Sequence, residues 1–195
     1  MDLTYIDLID QSQTLNFQGR GGARCCCARP AGMAAREPMP DAKAIEVLNK
    51  SFARGRNPSV QLLGGQIESF DREAMRMRMR FEGTKQLDNG NGQVMGGFIG
   101  AMMDVAVAQL AVVLSQLTQT VSTLEQKASL LAPIRLPRDS DEPVPMFVDA
   151  TAIKMGRSVA FFEISLEDAE GTLAARATQT TMLIDIAPRK PKPKL

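Results

Sequence analysis

Residues 94–114, VMGGFIGAMMDVAVAQLAVVL, are almost entirely apolar and carry a single charged side chain, that of Asp104. A stretch of about 20 apolar residues is long enough to span a bilayer. However, a carboxylate at the centre of a span is costly, and basic or aromatic anchors are missing from both flanks. We therefore predict a helix that is buried on nearly all sides within a soluble fold, and no association with a membrane.

The segments on either side of this helix indicate an α+β fold. Asp41 is in a position to cap a helix that runs to about Arg54, where Gly55 ends it. Strand-like runs are found at about 60–70, 73–82, 120–132, 145–155, 158–168 and 172–186, and a loop rich in glycine and asparagine occupies 83–93. This order predicts an antiparallel sheet wrapped around a central helix.

The second strand-like run has the clearest period of two. Its apolar positions are Met75, Met77, Met79 and Phe81, and its basic positions are Arg76, Arg78 and Arg80. Because successive side chains of a strand point to opposite faces, one face of this strand is predicted to be buried and the other solvated.

The composition excludes several kinds of catalytic site. The chain has 195 residues, no histidine and three cysteines, which are consecutive at positions 25–27. Without histidine there is no Ser-His-Asp triad, no Cys-His dyad and no His-ligated metal, and three adjacent cysteines cannot form a four-cysteine zinc site. We expect no metal and no cofactor, and a carboxylate as the catalytic acid or base, with a lysine or Tyr5 as the alternative.

We divide the chain into three parts. Residues 1–40 have no helical or strand period, and we interpret them as a disordered or mis-assigned N-terminal extension, with Met33 as an alternative start. A single domain is expected over 41–187, followed by a basic, proline-spaced tail at 188–195. Residues 37–188 hold 15 basic and 19 acidic side chains, so no nucleic-acid partner is expected. The acidic start lacks the apolar stretch of a secretory signal, which favours a cytoplasmic location.

Asp104 is the candidate catalytic residue of the predicted helix. An unpaired carboxylate in an apolar setting costs several kcal/mol, and no lysine or arginine lies within one helical turn of it. A hydrogen bond to a backbone group or the cap of a neighbouring element is a structural explanation, and a functional site is the other. Small side chains lie on or near the same helix face, which leaves room for a ligand or a second chain: Gly97, Gly100, Ala101, Ala108 and Ala111.

The start of the helix offers a second chemical feature. At Gly96 and Gly97 the backbone N–H groups are unobstructed by side chains and lie at the positive end of the helix dipole. Such a terminus can polarise a carbonyl oxygen.

Residues 89–104, NGNGQVMGGFIGAMMD, resemble the active-site loop and central helix of hotdog-fold acyl-CoA thioesterases of the phenylacetic-acid-degradation (PaaI-like) type. The resemblance continues through TLEQKASLLAP at 123–133, KMGR at 154–157 and DAEGTLAARA at 168–177, and it covers about 58–186. It implies a hotdog fold, in which an antiparallel sheet wraps a central helix, and hydrolysis of an acyl-CoA thioester to the free acid and coenzyme A.

The resemblance also implies roles for the catalytic residues. Asp104 matches the carboxylate that activates water or attacks the thioester directly. Asn89 matches an asparagine that helps to place the thioester or the water. Gly96 matches the glycine whose N–H polarises the thioester carbonyl, and Thr123 matches a hydroxyl residue that bonds the nucleophile.

Five further positions are expected to bind substrate. Met95 and Gly97 belong to the helix start, and Ser122 is the alternative to Thr123 if the register differs by one residue. Lys154 and Arg157 match a region that commonly meets the nucleotide or phosphates of coenzyme A, with a role as surface strand charges as the alternative. The acyl-CoA is thus the expected small-molecule partner, and the site is expected to lie between subunits of a homodimer or of a dimer-of-dimers tetramer.

One departure from the family concerns the helix start, where many relatives have His-Gly-Gly and this chain has Met95-Gly96-Gly97. A coenzyme A thiolate is a good leaving group, so a base and an oxyanion site can suffice without the histidine. Two other interpretations stay open. One is a hotdog protein that binds an acyl-CoA or another apolar ligand without catalysis, and the other is an oligomeric scaffold in which Asp104 has a buried hydrogen-bonding partner.

Overall fold

The computed structural model describes residues 40–55 and 57–185. Both the N-terminal extension predicted for 1–40, except its last residue, and the basic tail predicted for 188–195 lie outside the described residues.

The described chain forms one antiparallel sheet and one long helix, with two short helices before them. The helices are α1 (Asp41–Ala53), α2 (Pro58–Leu62) and α3 (Gly96–Leu114), and the strands are β1 (Gln66–Asp71), β2 (Arg76–Gly83), β3 (Gln119–Leu130), β4 (Val144–Met155), β5 (Val159–Glu167) and β6 (Leu173–Asp185). A single 3-10 turn occupies Lys85–Leu87. The strand order is β1-β2-β4-β5-β6-β3, and every neighbouring pair is antiparallel.

Helix α3 packs on the inner face of this sheet. Its residues Met102, Met103, Ala106, Val107 and Leu110 have no exposed surface. The helix is long and apolar enough to pass the length and composition test for a membrane span, but 56% of it is buried inside the protein, as expected for a core helix. A central helix held by an antiparallel sheet is the α+β hotdog fold that the sequence predicted.

The predicted alternation is confirmed over β2, but the run predicted at 73–82 begins too early, because Met75 lies in the turn before the strand with a φ of +49°. Met77, Met79 and Phe81 have no exposed surface, whereas the arginines between them are partly exposed on the outer face. On that face Arg76 and Arg78 both pair with Asp149 of β4, a carboxylate whose side chain is 8% exposed.

Two local predictions before β2 were wrong. The run at 60–70 is not one strand, because Pro58–Leu62 forms a short helix whose first N–H groups are capped by Asn57, with Val60 N–H donating to Asn57 Oδ1 at 3.2 Å. Asp41 does not cap α1. It is the first residue of the helix, after Pro40, and it accepts hydrogen bonds from Arg72 instead.

Arg72 joins three elements. Its Nη2 donates to Asp41 Oδ1 at 2.6 Å and to the carbonyl oxygen of Val113 at 3.0 Å, and its Nη1 donates to the carbonyl oxygen of Leu114 at 3.3 Å. The hydrogen bond to Asp41 raises the pKa of the Arg72 guanidinium above its ordinary value. The start of α1 and the turn between β1 and β2 are thereby held at the C-terminus of α3.

Candidate functional site

The loop before α3 is ordered by its own side chains. Asp88 Oδ1 accepts hydrogen bonds from the N–H groups of Gly90 (2.8 Å), Gly92 (3.0 Å) and Gln93 (3.3 Å). The Met95 N–H then donates to the carbonyl oxygen of Leu87 at 2.8 Å, which fixes the point where the helix begins.

The first two amides of α3 have no acceptor among the residues that the structure describes. Helix geometry leaves the first N–H groups without an intrahelical partner, and Met95 O accepts from Phe98 and Ile99. Within the described ranges, the N–H groups of Gly96 and Gly97 have no other acceptor. These two donors are therefore available to an oxygen atom of a ligand.

A side chain at Gly96 would meet the side chain of Leu130, which would have to move. A Cβ atom at this position would lie 2.5 Å from Cδ1 of Leu130, the last residue of β3, whereas a Cβ at Gly97 would meet only Met95 Cε at 3.7 Å. Both Met95 and Leu130 are about half exposed. The helix start is thus an open, apolar-walled place with two backbone donors.

Asp104 lies on α3 two turns after the glycines, and its carboxylate is held at one oxygen only. Thr123 Oγ1 donates to Asp104 Oδ1 at 2.6 Å, and Gln179 Nε2 donates to the same atom at 2.7 Å. In the part of the chain that the structure describes, no group donates to Oδ2. Asp104 is half-buried, so this second oxygen is open to a ligand or to water.

A β-bulge in β3 brings the right side chains to Asp104. The ladder between β3 and β6 is regular except between Thr123 and Glu125, so Leu124 is an extra residue. Because the side chains of a regular strand alternate, Thr123 and Gln126 would otherwise point to opposite faces. With the bulge, both contact residues of the helix.

Gln179 and Gln126 were missed by the sequence analysis. Gln126 Nε2 donates to the carbonyl oxygen of Gly100 at 3.2 Å and to Gln179 Oε1 at 3.0 Å, and Gln179 in turn reaches Asp104. The signal that could have found Gln179 is its inward position on β6, where it lies between the buried residues Ala177 and Thr181.

The remaining predicted site residues are placed as follows. Asn89 is exposed in the loop, and its Oδ1 accepts from the Asn91 N–H at 2.8 Å, with no hydrogen bond to Asp104 among the described residues. Ser122 is exposed, and among the described residues the hydrogen bond to Asp104 comes from Thr123 and not from Ser122. Lys154 is near the end of β4 and Arg157 is in the turn that follows. Since β5 and β6 separate β4 from β3, the strand order does not bring these two residues beside Thr123.

Two concave regions lie away from Asp104. One, of about 470 Å³, is on the outer face of the sheet and is lined by charged residues that include Arg76, Asp149 and Glu163. The other, of about 450 Å³, lies beside the loop, between Asp88 and Arg138. No group of three carboxylate or thiol side chains within residues 40–55 and 57–185 could hold a metal ion.

Comparison with solved structures gives the same fold. The phenylacetic acid degradation-related protein of Ralstonia eutropha JMP134 is 30% identical over 67% of this chain and 98% of its own, with a TM-score of 0.58. A thioesterase of Haemophilus influenzae is 21% identical over 74% of this chain and 93% of its own (TM-score 0.62). A Streptococcus mutans UA159 protein bound to acetyl-CoA is 16% identical over 64% and 91% (TM-score 0.54). No family model and no curated protein matches the sequence.

Proposed function

Because the chain belongs to the hotdog-fold thioesterases of the phenylacetic-acid-degradation, PaaI-like, type, we propose that it hydrolyses an acyl-CoA thioester to the free acid and coenzyme A. The observation that carries this proposal is the geometry of Asp104. One carboxylate oxygen is saturated by two donors, and the other is free on a helix whose first two amides are also free. Acyl-CoA as the substrate class is further supported by the acetyl-CoA bound to the Streptococcus mutans protein.

In the proposed reaction the thioester carbonyl oxygen accepts from the N–H of Gly96, assisted by Gly97, where the helix dipole stabilises the developing negative charge. Asp104 Oδ2 then acts in one of two ways. As a base it takes a proton from a water molecule that attacks the carbonyl carbon. As a nucleophile it attacks that carbon itself, and water cleaves the resulting anhydride. In both cases the C–S bond breaks and coenzyme A leaves as the thiolate.

In this proposal the other site residues position the substrate, the attacking water or Asp104. Asn89 helps to place the thioester or the water, and Thr123 holds Asp104 through its hydroxyl. Met95 and Gly97 contact the substrate near the thioester, and Ser122 lies beside this contact region. Lys154 and Arg157 meet the phosphates of a coenzyme A that extends across from another subunit, since β4 and the turn after it are remote from Thr123.

We propose that the site is completed in a homodimer, or in a tetramer made of two dimers. Strand β3 is an edge strand of 12 residues, of which eight are exposed and four are half-buried. Leu124, Leu130 and the adjacent Leu131 are each more than half exposed there. An open edge with apolar side chains is typical of a surface that pairs with a second chain.

A second function is favoured by position 95. A methionine there has no donor for the thioester carbonyl or the leaving group, so a protein that binds acyl-CoA without turnover is the alternative. The scaffold interpretation requires a buried partner for Asp104, and Gln179, 2% exposed, is one. A purely structural carboxylate has no use for an oxygen without a donor. Among the described residues nothing donates to Oδ2, which favours the catalytic proposal.

The test is steady-state hydrolysis of a panel of acyl-CoA thioesters by the wild type and by Asp104→Asn, with thiol release as the readout. We expect turnover of at least one member of the panel by the wild type. In the variant we expect kcat to fall about 1,000-fold or more, because the general base or nucleophile is lost together with its orientation of the reacting groups. Tight binding of the panel without thiol release favours the non-catalytic alternative. Full activity of Asp104→Asn overturns the proposed mechanism.

A further inference from the structure

Gln179 is the most deeply buried polar side chain in contact with Asp104. It is 2% exposed, on the face of β6 that packs against α3. Its amide nitrogen donates to Asp104 Oδ1 at 2.7 Å and to Thr123 Oγ1 at 3.1 Å. The Thr123 hydroxyl donates a hydrogen bond to Asp104 Oδ1, so the three side chains form a closed triangle.

Gln126 determines which way the Gln179 amide is turned. Its nitrogen donates to Gln179 Oε1 at 3.0 Å and to the carbonyl oxygen of Gly100 at 3.2 Å. A flipped Gln179 would point its oxygen at the carboxylate and its nitrogen at another nitrogen. The two acceptors of Gln126 therefore leave Gln179 only the orientation in which it donates to Asp104.

The chain of hydrogen bonds begins and ends on the same turn of α3. In a regular helix the Gly100 carbonyl also accepts from the backbone N–H of Asp104, four residues later. Gln126 and Gln179 thus bridge the backbone acceptor of this turn to the side chain that leaves it. Such a bridge fixes the rotation of the carboxylate, with Oδ1 held inward and Oδ2 left without a donor.

We propose that Gln179, oriented by Gln126, is a positioning residue that holds Asp104 Oδ1 so that Oδ2 is presented to the thioester or to the attacking water. The inference rests on the proposed thioesterase function and adds two residues to its machinery. Neither glutamine needs to touch the substrate. Their effect is exerted through the orientation of Asp104, so it belongs to the chemical step and not to binding.

The experiment compares Gln179→Met, Gln126→Met and the double variant on the acyl-CoA that the wild type turns over best. We expect kcat to fall about 10-fold to 100-fold in Gln179→Met, the size of a lost hydrogen bond to a charged group, with KM changed by less than about threefold. Gln126→Met should lose less, about threefold to tenfold, and should add little to the loss in Gln179→Met, because it acts through Gln179.

Gln109→Met is the matched control. Gln109 is a buried glutamine, 8% exposed, on the helix that carries Asp104, and it has no part in this network. It should retain the wild-type kcat. If Gln179→Met fails to fold by circular dichroism, Gln179→Leu also removes the donor to Asp104 without placing a second carboxyl group beside it, and the same loss of kcat is expected.

The outcomes separate this inference from the function on which it rests. Absence of turnover by the wild type overturns both. A wild type that turns over, with Asp104→Asn inactive but Gln179→Met at full kcat, overturns the positioning role alone. So does a kcat loss in Gln126→Met that multiplies fully with that of Gln179→Met, since two independent structural defects would behave in that way.

Discussion

Gly96 shows how one side chain can be excluded by the approach of a strand. Leu130 Cδ1 lies 2.5 Å from the place of a Cβ atom at this position, a distance that real Cβ contacts do not show. The absence of a side chain allows the end of β3 to lie against the helix start. In the proposed reaction, the same absence leaves the Gly96 amide accessible to the thioester oxygen.

We therefore predict that Gly96→Ala lowers kcat about tenfold or more on the best acyl-CoA. The added methyl group displaces either Leu130 or the helix start, and a displacement of about 1 Å in a positioned group can cost about 100-fold in rate. Steady-state kinetics measures the loss. Leu130→Ala in the same chain removes the colliding atoms and should restore most of kcat. A Gly96→Ala variant with full activity would mean that the Gly96 amide does not contact the thioester.

At the scale of elements, Arg72 closes the C-terminus of α3. Two of its donors meet the carbonyl groups of Val113 and Leu114 at the end of the helix, and others meet Asp41. The Val113 carbonyl also accepts from the N–H of Gln116 at 3.0 Å. A cation at a helix C-terminus is also favoured by the helix dipole. Both side chains of the ion pair are more than a third exposed, so the attraction between them is partly screened.

We predict that Arg72→Ala lowers the free energy of unfolding by about 1 to 2 kcal/mol, mainly through the lost helix cap and charged hydrogen bonds. The matched control is Lys50→Ala, which breaks an i,i+4 pair with Glu46 and should cost less, because both side chains of that pair are exposed and their attraction is screened by solvent. Chemical denaturation of both variants tests the difference. Equal losses would show that Arg72 contributes no more than a surface charge.

The elements with a local signal were predictable from the sequence. The alternation of β2 is visible in the sequence of that strand alone, and α3 is indicated by a long apolar run in which Asp104 is the one charged residue. The run at 60–70 was misassigned because its apolar residues fit a strand as well as a helix. Two residues favour the helix over the strand. Pro58 fits the first helical position, and Gly64, with a φ of +63°, ends the turn.

The site was predictable only in part, for a reason of register. Asp104 and Thr123 came from the isolated charge and from the resemblance. Gln126 and Gln179 depend on which strands are neighbours and on the extra residue Leu124, which puts Thr123 and Gln126 on one face. Such information is carried by contacts between residues 26 to 75 positions apart. A strand pattern read along the chain does not contain it.

At the scale of the molecule, the two edges of the sheet are treated differently. Helix α1 covers part of the β1 edge, where the side chain of Asn49 donates to the carbonyl oxygen of Ile67 and accepts from its N–H, each at 2.9 Å. The β3 edge has no such cover among the described residues, although it is twice as long. Unpaired edges attract other chains unless they are blocked. The asymmetry therefore favours β3 as the edge that a second copy of the chain completes.

We predict that Leu124→Glu shifts the protein toward monomers and lowers its activity in parallel. Leu124 is 57% exposed at the bulge of β3, and a charge there would have to be desolvated in a dimer. Light scattering over a dilution series measures the dissociation, and thiol release at the same concentrations measures the activity. Ile153→Glu is the matched control, because Ile153 is 55% exposed on β4, which is not the β3 edge. It should leave the dimer intact, since it lies outside the edge that a second copy is proposed to complete. A wild type that is monomeric at assay concentrations and fully active would show that one chain completes the site by itself.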